Sequence, residues 1–165
     1  MRISNFLIIC MLTLASISLK AEQSQQIDLT EFFHDYIQGY NLYLENPNNK
    51  SALPQIASHF AYPVMQIPSK GAPVIVTESA QLIKNFSFFV DDLRKKSVAK
   101  IVWEKLQVKP LTENKAVAIN IANAMDAQGN ILSRLSTLYI LYKEGAHWKI
   151  SAIQPHTINN HINLN

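Results

Sequence analysis

Four long segments rich in β-branched and aromatic residues follow one another between Ser97 and Gln154. They read "SVAKIVWEKLQVK", "KAVAINIANAM", "ILSRLSTLYILY" and "HWKISAIQ", and only "PLTEN", "DAQGN" and "KEGA" separate them. Connections this short join neighbouring antiparallel strands, because a parallel pair needs a crossover of a dozen or more residues. The second half of the chain is therefore predicted to form a four-stranded antiparallel meander.

Helical periodicity predicts three helices before this meander. The first starts at a capping-box-like Asp28 and stops at "ENPNNK", the second spans Ser51 to His59, and the third follows Thr77 as its cap. The first and third helices repeat apolar residues at three- and four-residue spacing, which is typical of a helix with one buried face. These residues are Phe33, Tyr36, Ile37, Tyr40 and Leu44, and then Leu82, Ile83, Phe86, Phe89, Val90 and Leu93.

A short hairpin is predicted between the second and third helices, where "FAYPVMQIP" and "APVIV" flank a polar turn containing Gly71. Gly129 and Gly145 fall in two turns of the meander. Glycine suits such turns because it adopts positive φ without steric cost. Helices confined to one face of a curved antiparallel sheet predict an α+β cone.

The first 21 residues are predicted to be a secretory signal peptide. Arg2 precedes an apolar stretch from Phe6 to Leu19, and Ala21 provides a small residue at the cut site. The alternative is a membrane anchor, but the stretch contains Ser and Thr and is shorter than a spanning helix requires. We therefore expect an exported protein, periplasmic or secreted, without a stable membrane anchor. Residues 22–27 then form a lead-in, 28–154 the domain and 155–165 a tail.

Removal of the signal peptide excludes several classes of function. Without Arg2 and Lys20, the 15 Lys and Arg become 13 against 12 Asp and Glu, so no nucleic-acid partner is expected. The single cysteine, Cys10, is lost with the signal peptide, which excludes disulfides and a cysteine nucleophile. His156 and His161 would suit a metal only in a helical tail, which Pro155 disfavours. We expect neither a metal nor a cofactor.

The order of these elements carries a resemblance to a known superfamily. The run "HFAYPVMQIPSKGAPVIVTESAQL", the "W…L.V" strand, the "DAQG" turn and the "YILYKEGAHWKI" ending resemble the SnoaL-like branch of the nuclear transport factor 2-like superfamily. The resemblance implies a cone with an apolar pocket between helices and concave sheet, and often a dimer through the outer sheet face. Some members are isomerases with an acid just before a proline. Here Ile67 and Gln66 precede Pro68, and neither takes up a proton at neutral pH.

The register of the central hairpin decides which side chains are expected to line that pocket. A three-residue loop places Asp126 opposite Asn130, so Asn123, Thr137 and Tyr139 share the face with the bulky aliphatics that should meet the helices. A shift by one residue would exchange these faces. The expected ligand-binding residues are Tyr36, Tyr40, His59, Trp103, Asn123, Thr137 and Tyr139. The opposite, alanine-rich face is expected to form a dimer interface through Asn120, Arg134, Ser136 and Leu138.

These residues leave three hypotheses for function. The first is a noncatalytic domain that binds a small hydrophobic molecule in the pocket. The second is an isomerase, cyclase or hydratase that uses Tyr40, His59 or Asn123 with water. The third is a protein-interaction module that uses the face of Arg134. A mostly apolar wall with few polar groups is the usual composition of a small-molecule site, which favours the first.

Overall fold

The structure is a computed structural model that describes residues 27–49, 51–156, 158 and 164. The predicted signal peptide, Cys10 and His161 lie outside the described residues. The helices are α1 over residues 27–45, α2 over Ala52–Ser58 and α3 over Ser79–Lys95. The strands are β1 Phe60–Gln66, β2 Val74–Val76, β3 Lys100–Thr112, β4 Lys115–Met125, β5 Ile131–Glu144 and β6 His147–His156.

Two predicted helix starts differ from the structure. Residue 27 is already helical, so Asp28 lies inside α1 and does not cap it. Helix α3 begins at Ser79 with Glu78 in the cap position, and no side chain makes a cap hydrogen bond there. The prediction of Thr77 as the cap was wrong, and the first turn of α3 relies on packing rather than on a polar cap.

The sheet has six strands in the order β2-β1-β6-β5-β4-β3. The predicted hairpin and four-stranded meander are both present and antiparallel. Strand β1 adds to the meander by pairing in parallel with β6, which makes the sheet mixed. Three helices pack against this curved, unclosed sheet, so the predicted α+β cone is confirmed. No helix among residues that the structure describes is long and apolar enough to cross a membrane.

The predicted faces of β4 were wrong because of one bulge in β5. The turn itself matches the expectation, since the Asp126 amide donates to the Asn130 carbonyl and Met125 pairs with Ile131. The next pair is Ala124 with Ser133, so Leu132 is an extra residue on β5. A bulge of this kind shifts the register by one and turns every later residue of one strand to the other face.

The shift turns the alanine-rich face of β4 toward the helices. Asn120 pairs with Thr137 and Ala118 with Tyr139, which places all four on the concave face. Asn123 pairs with Arg134 on the convex face. The small side chains leave room under the helices for larger residues of α1, α3 and β5. The four alanines of this face, Ala116, Ala118, Ala122 and Ala124, are buried.

A close contact between α1 and α2 fixes the helical layer. A Cβ atom at Gly39 would lie 2.6 Å from Cγ1 of Ile56, which is fully buried. Contact at normal van der Waals distance therefore requires glycine at this position of α1. Gly71, Gly129 and Gly145 have φ values of 96°, 89° and 62°, as their predicted turn positions require.

Candidate functional site

A cavity of about 300 Å³ lies between α1, α3 and the concave face of the sheet. Its wall is mainly apolar and draws on residues from both helical and sheet layers. The apolar lining consists of Ile37, Phe86, Phe89, Ile101, Ala122, Leu135, Ile153 and Pro155. The small side chain of Ala122 contributes to this space, because a larger residue at the same position of β4 would project into it. The volume is at the lower end of the ~300–1,000 Å³ of small-molecule sites.

A chain of hydrogen bonds joins the polar side chains of the wall. The hydroxyls of Tyr36 and Tyr40 are 2.8 Å apart. Tyr36 also hydrogen-bonds to Tyr139. Nδ2 of Asn120 donates to the Tyr139 hydroxyl at 3.0 Å, and Oδ1 of Asn120 accepts from the Thr137 amide at 2.9 Å. Both ends of the Asn120 side chain are thus bonded, which fixes the orientation of its amide.

Burial keeps the three phenols of this chain neutral. Burial is the largest cause that raises the pKa of Tyr36 and of Tyr40 well above the ordinary value, and the neighbouring tyrosines raise the pKa of Tyr36 further. Burial also raises the pKa of Tyr139 to about 12, against hydrogen bonds that lower it. At physiological pH the phenols therefore act as hydrogen-bond donors and acceptors, and not as bases.

Gln66 and Asn85 form a second polar pair in the wall. Nδ2 of Asn85 in α3 donates to Oε1 of Gln66 at the end of β1, at 2.8 Å. This part of the wall is where the resemblance to isomerases would imply an acid. Both side chains are neutral amides, and no carboxylate of the described residues lines the cavity. The pair joins α3 to the end of β1 without supplying a general base.

His156 adds an imidazole to the cavity edge. Nε2 of His156 lies 2.9 Å from Oγ of Ser136, which donates to the backbone carbonyl of Asn120 at 2.6 Å. Both residues line the cavity, together with Arg134, whose Nε is 3.1 Å from Oε2 of Glu104. A hydroxyl that donates to a carbonyl is not activated as a nucleophile, since its proton is already committed.

Five of the seven residues expected in the pocket line the cavity: Tyr36, Tyr40, Trp103, Thr137 and Tyr139. Trp103 contributes its ring, whereas its Nε1 is buried without a hydrogen-bond partner in the part of the chain described. The structure does not bring His59 and Asn123 to the same cavity. His59 packs on Phe32 and Tyr36, and its Nδ1 is 2.9 Å from the Gln55 carbonyl oxygen at the end of α2.

The residues expected at a dimer interface divide between the two faces. The bulge moves Asn120 to the cavity wall, so its expected place on the outer face was wrong. Arg134 and Leu138 lie on the convex side of β5 as expected. Ser136 lies between them on the same side of β5, yet it is buried and, like Arg134, borders the cavity. A role for these residues in dimerisation stays a prediction.

The sequence reasoning missed Gln66, Asn85, Asn120 and His156 as lining residues. One signal for Asn120 was present, because "AVAINIANA" alternates small with bulky residues, and helices approach a sheet most closely over small ones. A signal for His156 was also present, since β-rich sequence continues through "ISAIQ" toward it. No local signal exists for Asn85 and Gln66, because their contact depends on how α3 lies across the sheet.

Three helices on a curved, unclosed sheet define the class of NTF2-like cone folds. Residues 25–158 match the family described as NTF2-like protein (DUF6841), and the chain belongs to this family. The resemblance noted in the sequence is thereby confirmed at the level of the superfamily. No curated protein matches the sequence.

Solved structures show the same fold at low sequence identity. An NTF2-like protein with a cystatin-like fold from Novosphingobium aromaticivorans is 8% identical, with a TM-score of 0.62 over 90% of each chain. Aln2 from a Streptomyces species is 9% identical, with a TM-score of 0.60 over 81% of this chain and 91% of that one. A domain of unknown function from Nostoc punctiforme is 14% identical, with a TM-score of 0.59 over 86% and 80%. Similarity at this level supports the fold alone.

Proposed function

We propose that this protein binds a small, mainly apolar molecule in the concave cavity. The observation that supports the proposal is the apolar cavity of about 300 Å³, which has a few neutral hydrogen-bonding groups in its wall. Such a wall stabilises the bound ligand by removing its apolar surface from water, while the polar groups orient it. The proposal makes the domain a carrier or sensor of its ligand.

The three phenols and the two amides of the wall favour binding over catalysis. General acid–base catalysis needs a group with a pKa near the working pH, within reach of the substrate. The pKa values of Tyr36, Tyr40 and Tyr139 are raised away from that range. The wall carries amides where a carboxylate base would be required, as Gln66 and Asn85 show.

The proposal is tested by measuring how an apolar probe changes stability. Naphthalene is added to the wild type, to Ala122→Leu, which fills the cavity, and to Ala152→Leu, which enlarges an alanine on the convex face. A ligand at 100 times its Kd adds about 2.7 kcal/mol to the free energy of unfolding. We expect naphthalene to stabilise the wild type and Ala152→Leu but not Ala122→Leu. Equal effects on all three proteins, or none, would contradict the proposal.

His156 supports a second candidate, an enzyme that moves a proton on a hydrophobic carbonyl compound. Its imidazole lines the cavity, and histidine is the side chain that most often transfers protons in general acid–base catalysis. The test incubates the protein with 2-acetylnaphthalene in D₂O and follows exchange of the methyl protons by NMR. Catalysed exchange that is lost in His156→Gln would support the enzyme. Exchange at the buffer rate supports a binding domain.

We also propose that the protein is exported and forms a homodimer through its convex sheet face. Support for the dimer is the apolar surface there, where Val102 and Ile140 are 42% and 46% exposed. Sedimentation velocity should report a dimer for the wild type and a monomer for Leu138→Glu.

Export predicts that protein recovered from its native host begins at Glu22, which N-terminal sequencing checks.

A further inference from the structure

The side-chain amides of Gln66 and Asn85 together offer a hydrogen-bond donor and an acceptor in the cavity wall. Nδ2 of Asn85 donates to Oε1 of Gln66 at 2.8 Å. This bond leaves Oδ1 of Asn85 as an acceptor and Nε2 of Gln66 as a donor for another partner. If the oxygen and nitrogen of both amides were exchanged, the bond would run the other way, and the pair would still offer one donor and one acceptor. The pattern therefore holds for either assignment of the two amides.

Strand pairing and helix position bring both amides to the cavity. Gln66 pairs with Ile153, which in turn pairs with Tyr139, and all three residues line the cavity. Asn85 reaches the same part of the wall from α3, one turn before Phe89, which is another lining residue. Neither remaining group is among the side-chain atoms that the described part of the chain buries without a partner. Both groups are therefore accessible to a molecule in the cavity.

We propose that the ligand carries an uncharged amide, either a carboxamide or a lactam, that pairs with Gln66 and Asn85. The inference rests on the proposed function and specifies the chemical class of the ligand. An amide has an N–H donor and a carbonyl acceptor, which match the acceptor and the donor that the two side chains offer. A ligand that displaces water from these groups must replace the hydrogen bonds of that water, or it loses affinity.

Other polar groups match this pair less well than an amide. A ketone accepts from the donor but leaves the acceptor of the pair without a partner. A hydroxyl must use a single oxygen for both bonds, whereas an amide has a separate atom for each side chain. A carboxylate places an acceptor opposite an acceptor, and its charge would lose hydration in the cavity. The guanidinium of the wall, Arg134, is engaged with Glu104 at 3.1 Å.

The experiment compares three naphthalene derivatives of similar shape. 2-Naphthamide carries the donor and the acceptor, 2-acetylnaphthalene has a methyl group in place of the NH₂ group, and 1-(2-naphthyl)ethanol has a hydroxyl. Calorimetric titration is carried out on the wild type, on Gln66→Met/Asn85→Leu and on Gln38→Met. The double variant replaces both amides by apolar side chains of similar size. Gln38 is the control, because it bonds His34 at 2.9 Å on the exposed side of α1 and does not line the cavity among the described residues.

We expect the wild type and Gln38→Met to bind 2-naphthamide about three- to tenfold more tightly than 2-acetylnaphthalene, the size of one net hydrogen bond. In Gln66→Met/Asn85→Leu this preference should disappear. Naphthalene makes no such hydrogen bond, so equal binding of naphthalene to all three proteins shows that the cavity is intact. If the double variant does not bind naphthalene, the single variant Gln66→Met replaces it and should weaken the preference for the amide.

Three results would overturn the inference and leave the binding proposal standing. They are equal affinities of the wild type for 2-naphthamide and 2-acetylnaphthalene, tighter binding of the alcohol than of the amide, and a preference for the amide that persists in the variant without the pair. Failure of the wild type to bind any of the probes, naphthalene included, would reject the binding proposal itself, and this inference with it.

Discussion

Replacement of Asn120 by alanine should destabilise the fold, whereas the same replacement at Asn123 should not. The two asparagines are three residues apart on β4, and the bulge at Leu132 turns Asn120 to the concave face. Asn120 is 3% exposed and uses both ends of its amide, with Tyr139 and with the Thr137 backbone. Oδ1 of Asn123 is buried without a partner in the described part of the chain.

The expected loss for Asn120→Ala follows from these two bonds. Each net hydrogen bond contributes about 0.5–1.5 kcal/mol, so two give about 1–3 kcal/mol. At a urea dependence of roughly 2 kcal/mol per molar, the midpoint should fall by about 1 M. Asn123→Ala removes an unpaired polar atom, so its midpoint should stay the same or rise slightly.

Urea unfolding followed by circular dichroism measures both variants beside the wild type. The pair is informative because the register without a bulge would put Asn123, and not Asn120, on the concave face. A larger loss for Asn123→Ala than for Asn120→Ala would refute the placement of the bulge and, with it, the composition of the cavity wall.

Three further perturbations test other parts of the account. Gly39→Ala should lower the free energy of unfolding by about 1–3 kcal/mol through overpacking against Ile56, and the better helix propensity of alanine should offset about 1 kcal/mol of this loss. Calorimetry of the double variant Gly39→Ala/Ile56→Ala should show a smaller loss than the sum of the two single changes. Ser97→Gly should raise the free energy of unfolding by about 1 kcal/mol, because Ser97 has a φ of 64° just after α3. A midpoint of urea unfolding that does not rise would contradict this. Burial lowers the pKa of His59 in the folded protein, so as the pH falls the histidine takes up a proton in the unfolded chain before it does so in the folded one. The free energy of unfolding should therefore decrease as the pH falls below ~6.5. His59→Gln should flatten this pH dependence, and an unchanged slope would exclude His59 as its source.

The elements that the sequence predicted well are those with a local signal. Alternating strand patterns and short turns, such as the one at Gly129 with its positive φ, each depend on a few neighbouring residues. The meander could be predicted from these local patterns. The parallel pairing of β1 with β6 joins segments far apart in the chain, so no local pattern indicates it. The same holds for the contact between Gln66 and Asn85.

The candidate site was predicted only in part because one residue changed the faces of a strand. Tyr36, Trp103 and Tyr139 line the cavity. Tyr36 belongs to a helix whose apolar face was clear in the sequence, whereas the face of Tyr139 depended on the register of the hairpin. Ile131 and Leu132 are both apolar, so the alternating pattern cannot show which of them is the extra residue. Their bulge exchanged the expected positions of Asn120 and Asn123.

The most direct test of a ligand-binding cavity is an NMR titration of the indole N–H groups. The sequence has two tryptophans, so the spectrum should contain two indole signals, which Trp103→Phe assigns. Trp103 lines the cavity, and Trp148 lies outside its described lining. Addition of 2-acetylnaphthalene should shift the Trp103 signal in a saturable way and leave the Trp148 signal in place. A Trp103 signal that stays unmoved, or two signals that drift together without saturation, would contradict a binding site in the cone.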